Sequence, residues 1–259
     1  MIDEPYRWME AISNRREYIE HQLASGSPIA ALSYRDGILF FTLGRERQKI
    51  FEIYDRIGMG AIGHPGDIER LRMAAIEMTS AEGFTRSAHD VSLRRLTTYS
   101  LSPALKAAFE QVYGAPYLAR MLFAELGRGE APNLFVRMEY DGSIHTNGGT
   151  FSRAFEHFGA IAGTGAATEA MERFLRERST PEATLEEALR TAMDAWALGH
   201  LALGAENPEA DFSAEQVAAH RTEQLAGASV EAGVLDRQAR TAVTWRSLPD
   251  AQARTILAA

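Results

Sequence analysis

Four short apolar runs lie between residues 29 and 63, and they constrain this chain more than any other feature. Ile29-Ala30-Ala31-Leu32-Ser33-Tyr34 and Gly37-Ile38-Leu39-Phe40-Phe41 are split by Arg35-Asp36-Gly37. An Asp-Gly pair between apolar runs is a strong hairpin signal, because tight turns need backbone angles that glycine adopts freely. A second hairpin runs from Lys49 to Gly63 and turns at Asp55-Arg56. Its second strand ends in small residues and passes straight into a helix. A cation at the mouth of that hairpin, beside a glycine-lined strand end, is suited to receive a carboxylate.

The rest of the chain keeps the same grammar. Residues 5–24 read as a helix, with Pro5 in the first turn, apolar contacts from Trp8, Ile12, Tyr18 and Ile19, and Gly26 beyond its end. Its Arg15 and Arg16 face either a neighbouring copy or solvent. Ile68, Leu71, Ala75 and Met78 recur at helical spacing over 67–82, with Asp67 as N-cap. A second helical stretch covers 90–113, interrupted near Pro103. Strands follow at 117–126, 134–140 and 158–162, with a turn at Asp141-Gly142-Ser143. Helices at 167–178 and 184–203 precede a loop at 205–212. Strands at 229–235 and 242–246 and a short helix from Asp250 close the chain. Strands come in antiparallel-looking runs and helices in pairs, which argues for an α+β fold of packed sheets with helices outside.

Among 259 residues, 46% are apolar, enough for one large core. The net charge of −8 disfavours nucleic-acid binding, which needs a basic face. The absence of cysteine excludes disulfides, thiolate metal sites and a cysteine nucleophile. The seven histidines show no metal-ligand spacing, so neither a metal nor another cofactor is expected. The first residues, Met1-Ile2-Asp3-Glu4-Pro5, do not resemble a signal peptide. The apolar stretch 192–205 is too short for a bilayer and contains Asp194 and His200. The expectation is a cytoplasmic protein without a membrane partner.

The order of elements, Ser27 to Phe41, Lys49 to Gly63 before a helix, Tyr140-Asp141-Gly142-Ser143, Gly163-Thr164-Gly165 and Val230 to Asp236 together resemble the proteasome core-particle subunits, members of the N-terminal-nucleophile hydrolase superfamily. The resemblance covers nearly the whole chain. It implies a four-layer α-β-β-α sandwich in one domain, residues 1–259, with an extra N-terminal helix at 5–24 ahead of a sandwich at 27–259.

Two branches of that family differ in chemistry. The β-type branch uses a threonine at the start of the first strand as nucleophile, and an acidic residue after the second strand. Here those slots hold Ser27 and Leu43, and only the lysine slot, Lys49, is filled as expected. The helix before the first strand and the pair Glu17-Tyr18 resemble the α-type branch, and Gln48-Lys49-Ile50 the bacterial α-type subunits. The resemblance then implies a non-catalytic subunit in a homo-heptameric outer ring, which controls entry of unfolded protein substrates to the chamber of the β subunits. Lys49, Glu17, Tyr18 and Gly63 match a pocket between neighbouring subunits that docks the C-terminal tail of an unfoldase ATPase activator. A lysine is a point charge suited to a terminal carboxylate. The α-type branch usually carries a flexible tail ahead of the first helix that closes the pore. Here only about five residues precede the helix, and this departure predicts a weakly gated or open pore.

Other readings compete. A solvated strand-end lysine explains Lys49 without any partner. A self-processing hydrolase would expose Ser27 by cleavage after Gly26, with Lys49 lowering the pKa of the nucleophile. Gly163-Thr164-Gly165-Ala166-Ala167-Thr168 mimics a dinucleotide fingerprint, but its third glycine position holds Thr168 and no acidic residue follows at the required spacing.

Overall fold

The computed structural model describes residues 4–44, 47–111, 114–129, 131–146, 157–205 and 211–258, with the backbone alone for 4–7. The start of the chain, on which pore gating would depend, lies outside the described side chains. Helix α1 (Glu4–Leu23) precedes β1 (Ile29–Tyr34), β2 (Gly37–Gly44), β3 (Ile50–Tyr54) and β4 (Ile57–Gly63). Then come α2 (Pro65–Thr85), α3 (Leu93–Arg95), a π-helical turn (Leu96–Leu101) and α4 (Ser102–Glu110). Strands β5 (Ala119–Glu125), β6 (Leu134–Met138), β7 (Ile144–His145) and β8 (Phe158–Ile161) follow. Helices α5 (Gly165–Arg178), α6 (Leu185–Leu203) and α7 (Ala214–Gly227) lead to β9 (Ser229–Asp236), β10 (Trp245–Leu248) and α8 (Asp250–Ala258). One antiparallel sheet has the order β10-β9-β2-β1-β8 and the other β3-β4-β5-β6-β7. No described helix is long and apolar enough to cross a membrane.

Strand alternation builds the four layers. In β1 and β2, Ala30, Leu32, Leu39 and Phe41 point outward to α5 and α6. Their neighbours Ile29, Ala31, Ile38 and Phe40 point inward, where Leu122, Phe135 and Ile161 complete the layer between the sheets. On the far side, Met59, Met121, Phe123 and Val136 pack against Ile68, Leu71 and Ala75 of α2 and against Leu101 and Leu105. Both faces of the central strands are therefore covered, which is why β1 and β2 are apolar at nearly every position rather than every second one.

The glycines of β4 serve this packing. Gly58 and Gly60 alternate with Met59 and Ala61, so they face the other sheet. A Cβ on Gly60 would come within 2.8 Å of Ile29 Cγ2, and one on Gly58 within 2.8 Å of the Phe40 ring. Gly60→Ala is expected to destabilise the chain by about 1–3 kcal/mol through overpacking, read as a lower urea midpoint; an unchanged midpoint would show that the sheets separate freely here.

Several boundaries differ from the sequence reading. Helix α2 begins at Pro65, and its N-cap is His64 rather than Asp67. Asp67 instead accepts from the Leu118 N–H at 3.0 Å, tying the helix to the approach of β5. The expected interruption near Pro103 is a π turn just ahead of it, with the Ser102 N–H bonded to Thr97 O. Proline offers no N–H to continue the regular ladder, and the upstream turn widens instead. Helix α7 lies between the expected loop and β9, where the sequence pattern predicts no element. Only Val217 of its side chains is buried, so it carries no apolar stripe. Its one local signal was the capping box of Ser213 with Gln216. The last strand starts at Trp245, three residues later than expected.

Helix α1 is fastened to the sandwich by charge as well as by apolar contact. Ile19 and Leu23 pack with Phe109 and Tyr140. Arg120, from the middle of the structure and only 5% exposed, pairs with Glu139 at 2.6 Å and with Glu20 of α1 at 3.3 Å. It also donates to the carbonyl of Ala162 at 2.7 Å. The Tyr140 hydroxyl donates to Glu20 at 2.8 Å. Arg137 extends the chain of charges from Glu139 to Glu172 on α5. Arg15 and Arg16 are used inside the subunit: Arg15 donates to the carbonyls of Phe109 and Gln111, and Arg16 pairs with Asp141 at 3.3 Å.

Candidate functional site

A cleft of about 520 Å³ opens where the end of α1, the start of β1, the approach to β3 and the β4–α2 junction meet. Leu23, Phe51, Ile62 and Ile68 give it an apolar wall, and Lys49 stands among them with Arg47, Gln48 and Ser27. The sheet topology causes this meeting. Strands β1 and β4 sit in opposite sheets with their inner faces in contact, so Ser27 before β1 lies near Gly63 at the end of β4.

Lys49 is held by its backbone and its side chain. Its N–H donates to Glu231 Oε1 at 2.8 Å, and the Ile50 N–H donates to the same oxygen at 2.8 Å. Its Nζ donates to the Leu43 carbonyl at 3.2 Å. Burial pushes the Lys49 amine below the ordinary lysine range, and the Glu231 carboxylate opposes that shift. Burial likewise pushes the Glu231 carboxyl up, against the two N–H groups and the Lys49 charge that favour its ionised form.

Ser27 meets Lys49 at one atom. Its hydroxyl donates to the same Leu43 carbonyl, at 3.2 Å. A carbonyl accepts a hydrogen bond but takes no proton, so this contact supplies no general base. Leu43, in the slot where an acid would stand, is 2% exposed and apolar. The peptide before Ser27 is tied down on both sides, with the Gly26 N–H donating to Leu23 O at 2.7 Å and Gly26 O accepting from the Gly163 N–H at 3.0 Å.

Gly63 lines the cleft with a backbone φ of 130°. A Cβ there would overlap the Leu118 carbonyl oxygen, so the fold itself requires the glycine. Glu17 and Tyr18 are not among the lining residues of the cleft in this subunit. Both are exposed on α1, and Tyr18 is 54% exposed. From α1 the cleft takes Gln22 and Leu23 instead. Thus two of the four expected docking residues meet in one chain.

The glycine-containing segment before α5 does structural work. Thr164 caps the helix by accepting from the Ala167 N–H at 3.2 Å, and the Thr168 hydroxyl accepts from the Ala162 N–H at 3.0 Å. Among the described residues no group of three or more histidine or acidic side chains is placed to hold a metal ion. What the cleft can do is bind: Lys49 with Arg47 beside it, an apolar wall and hydrogen-bonding groups suit an extended segment that ends in a carboxylate.

Comparison with known proteins carries this further. The family model described as proteasome subunit matches residues 25–207. The chain is 32% identical over 230 residues to the proteasome subunit alpha of Frankia casuarinae, covering 88% of this chain and 85% of that one. It is 33% identical over 214 residues to the subunit alpha of a Parafrankia species, covering 79% and 80%. With the subunit alpha of Kineococcus radiotolerans it shares 31% over 241 residues, covering 92% and 90%. A four-layer sandwich preceded by a helix, an unarmed serine where a nucleophile would stand, and these relatives agree: the chain belongs to the proteasome subunit family, as a non-catalytic bacterial α-type subunit.

Proposed function

We propose that this chain, as one domain, assembles into the seven-membered outer ring of a proteasome core particle, stacks on β subunits and docks an activator. The ring would control passage of unfolded proteins to the β chamber, and the Lys49 cleft would hold the C-terminal tail of an unfoldase ATPase. The observation that carries the docking reading is the position of Lys49, a cation on the rim of an apolar cleft whose ammonium, among the described residues, is hydrogen-bonded to a neutral carbonyl. The exposed placement of Glu17 and Tyr18 on α1 supports a pocket completed by the adjoining copy. An ATP-driven partner would place the assembly in the cytoplasm.

A native mass spectrum tests the ring. An intact 28.5 kDa subunit released from a particle of roughly 200 kDa is expected, as for a closed cyclic homo-oligomer. A monomer would remove the ring, and a subunit beginning at Ser27 would put a self-processing hydrolase in its place. Lys49→Ala is expected to weaken activator docking by about tenfold or more while leaving ring assembly intact, the scale of one charge-assisted hydrogen bond. Unchanged docking of the ATPase by that variant would remove the cleft assignment.

A further inference from the structure

Glu231 reaches the backbone behind the cleft from the opposite sheet. It belongs to β9, yet its carboxylate accepts from two successive N–H groups at the start of β3, those of Lys49 and Ile50. Three contacts, at 2.8, 3.1 and 2.8 Å, join the carboxylate to that backbone. No ladder pairing joins β9 to β3, so this acid is a polar link between the two sheets where Lys49 leaves the backbone, beside the bond from Lys49 Nζ to Leu43 O of β2. Glu231 lines a separate cleft, of about 440 Å³, which shares Arg47 and Gln48 with the Lys49 cleft.

We propose that Glu231 is the positioning residue of the docking cleft, which fixes the backbone from which Lys49 projects and keeps a negative charge behind its ammonium. This rests on the reading of Lys49 as the carboxylate receiver. A terminal carboxylate bound at the rim would then complete a line of alternating charge, ligand, lysine and Glu231. Among the described residues that line the two clefts, the other charges are already engaged or of like sign. Glu69 of α2 is paired with Arg72 at 2.7 Å, Arg47 adds positive charge to the same rim, and Asp250 beyond Glu231 is paired with Arg254 at 3.0 Å. Docking is present while Lys49 is protonated and is lost as pH rises through its pKa. Burial brings that loss below the ordinary lysine range, and Glu231 delays it. Removing the charge of Glu231 should therefore move the loss to lower pH.

The composition makes the test clean. Lysines are rare here, with only Lys49 and Lys106 in the whole chain. Reductive methylation with ¹³C-labelled formaldehyde gives signals from these two and the N-terminal amine, and Lys106→Arg assigns them. The full-length chain would be titrated by NMR, alongside binding of a fluorescent ten-residue peptide ending in Phe-Leu, as free acid and as C-terminal amide. In Glu231→Gln, Oε1 still accepts both N–H groups, so the expected changes are a lower titration midpoint for Lys49 and a binding curve that falls at lower pH. In Glu231→Ala, binding of the free acid is expected to weaken about tenfold at every pH where Lys49 is charged. An unchanged Lys49 midpoint in Glu231→Gln, or unchanged affinity in Glu231→Ala, overturns the proposal. Failure of the underlying reading looks different: Lys49→Ala would then bind the free acid as tightly as the unaltered chain, or the amide would bind as well as the acid, whatever Glu231 does to the lysine signal.

Discussion

Replacing Arg120 by alanine is expected to lower the unfolding free energy by about 3–5 kcal/mol, the cost of breaking a buried ion pair by removing one partner. Arg120 is 5% exposed, and its partner Glu139 is 15% exposed, so water cannot replace the lost guanidinium easily. The Ala162 carbonyl loses a 2.7 Å donor as well. Glu20 is 42% exposed and can turn to solvent, so Glu20→Gln should cost far less, below about 1 kcal/mol. The two variants separate burial from charge. Urea unfolding followed by far-UV circular dichroism would measure both. Arg120→Ala within 1 kcal/mol of the unaltered chain would mean that the network is only a surface ornament of α1.

Gly63→Ala should be at least as damaging. At a φ of 130° an alanine is strained, by about 1–3 kcal/mol on backbone grounds alone. The added methyl also meets backbone, the Leu118 carbonyl, which cannot rotate away as a side chain would. That carbonyl accepts the His64 N–H at 2.7 Å, the contact that starts α2. Relief of the clash therefore costs either the strand end or the entry to the helix. The expected outcome is poor soluble yield, or a loss above about 3 kcal/mol in what folds. A Gly63→Ala chain with the stability of the original would show that the β4–α2 junction relaxes without penalty.

The sequence carried most of the architecture because its signals were local. Arg35-Asp36 and Asp55-Arg56 turn hairpins whose registers pair Tyr34 with Gly37 and Tyr54 with Ile57. Gly37 is the first residue of β2 and has no positive φ, so the Asp-Gly pair marks the hairpin without forming the centre of its turn. Thr184 with Glu187 closes a capping box at the start of α6. Where the expectation failed, the cause was nonlocal or featureless. Asp67 looked like a cap, but Leu118, 51 residues away, claims it. Helix α7 has Val217 and Leu225 as its only large apolar residues, so periodicity had little to detect. At the site, Lys49 and Gly63 stood out in a single hairpin. Glu231 did not, because a lone acid in a strand acquires meaning only when the fold carries it 182 residues back to Lys49. Glu17 and Tyr18 were legible through resemblance alone, since nothing within the subunit engages them with the cleft.

The sheet orders set how copies of this chain can meet. The outermost strands, β10, β8, β3 and β7, are four, four, five and two residues long. Arg246 and Ser247 are exposed on β10, and β7 ends at exposed His145. Border strands this short offer little template for another chain to add a strand. Strand exchange and open-ended stacking are thereby disfavoured among the described residues. In the ring proposed above, neighbours would recognise one another through helices and loops, which are already folded in each copy, and a subunit could join or leave without unravelling its interior.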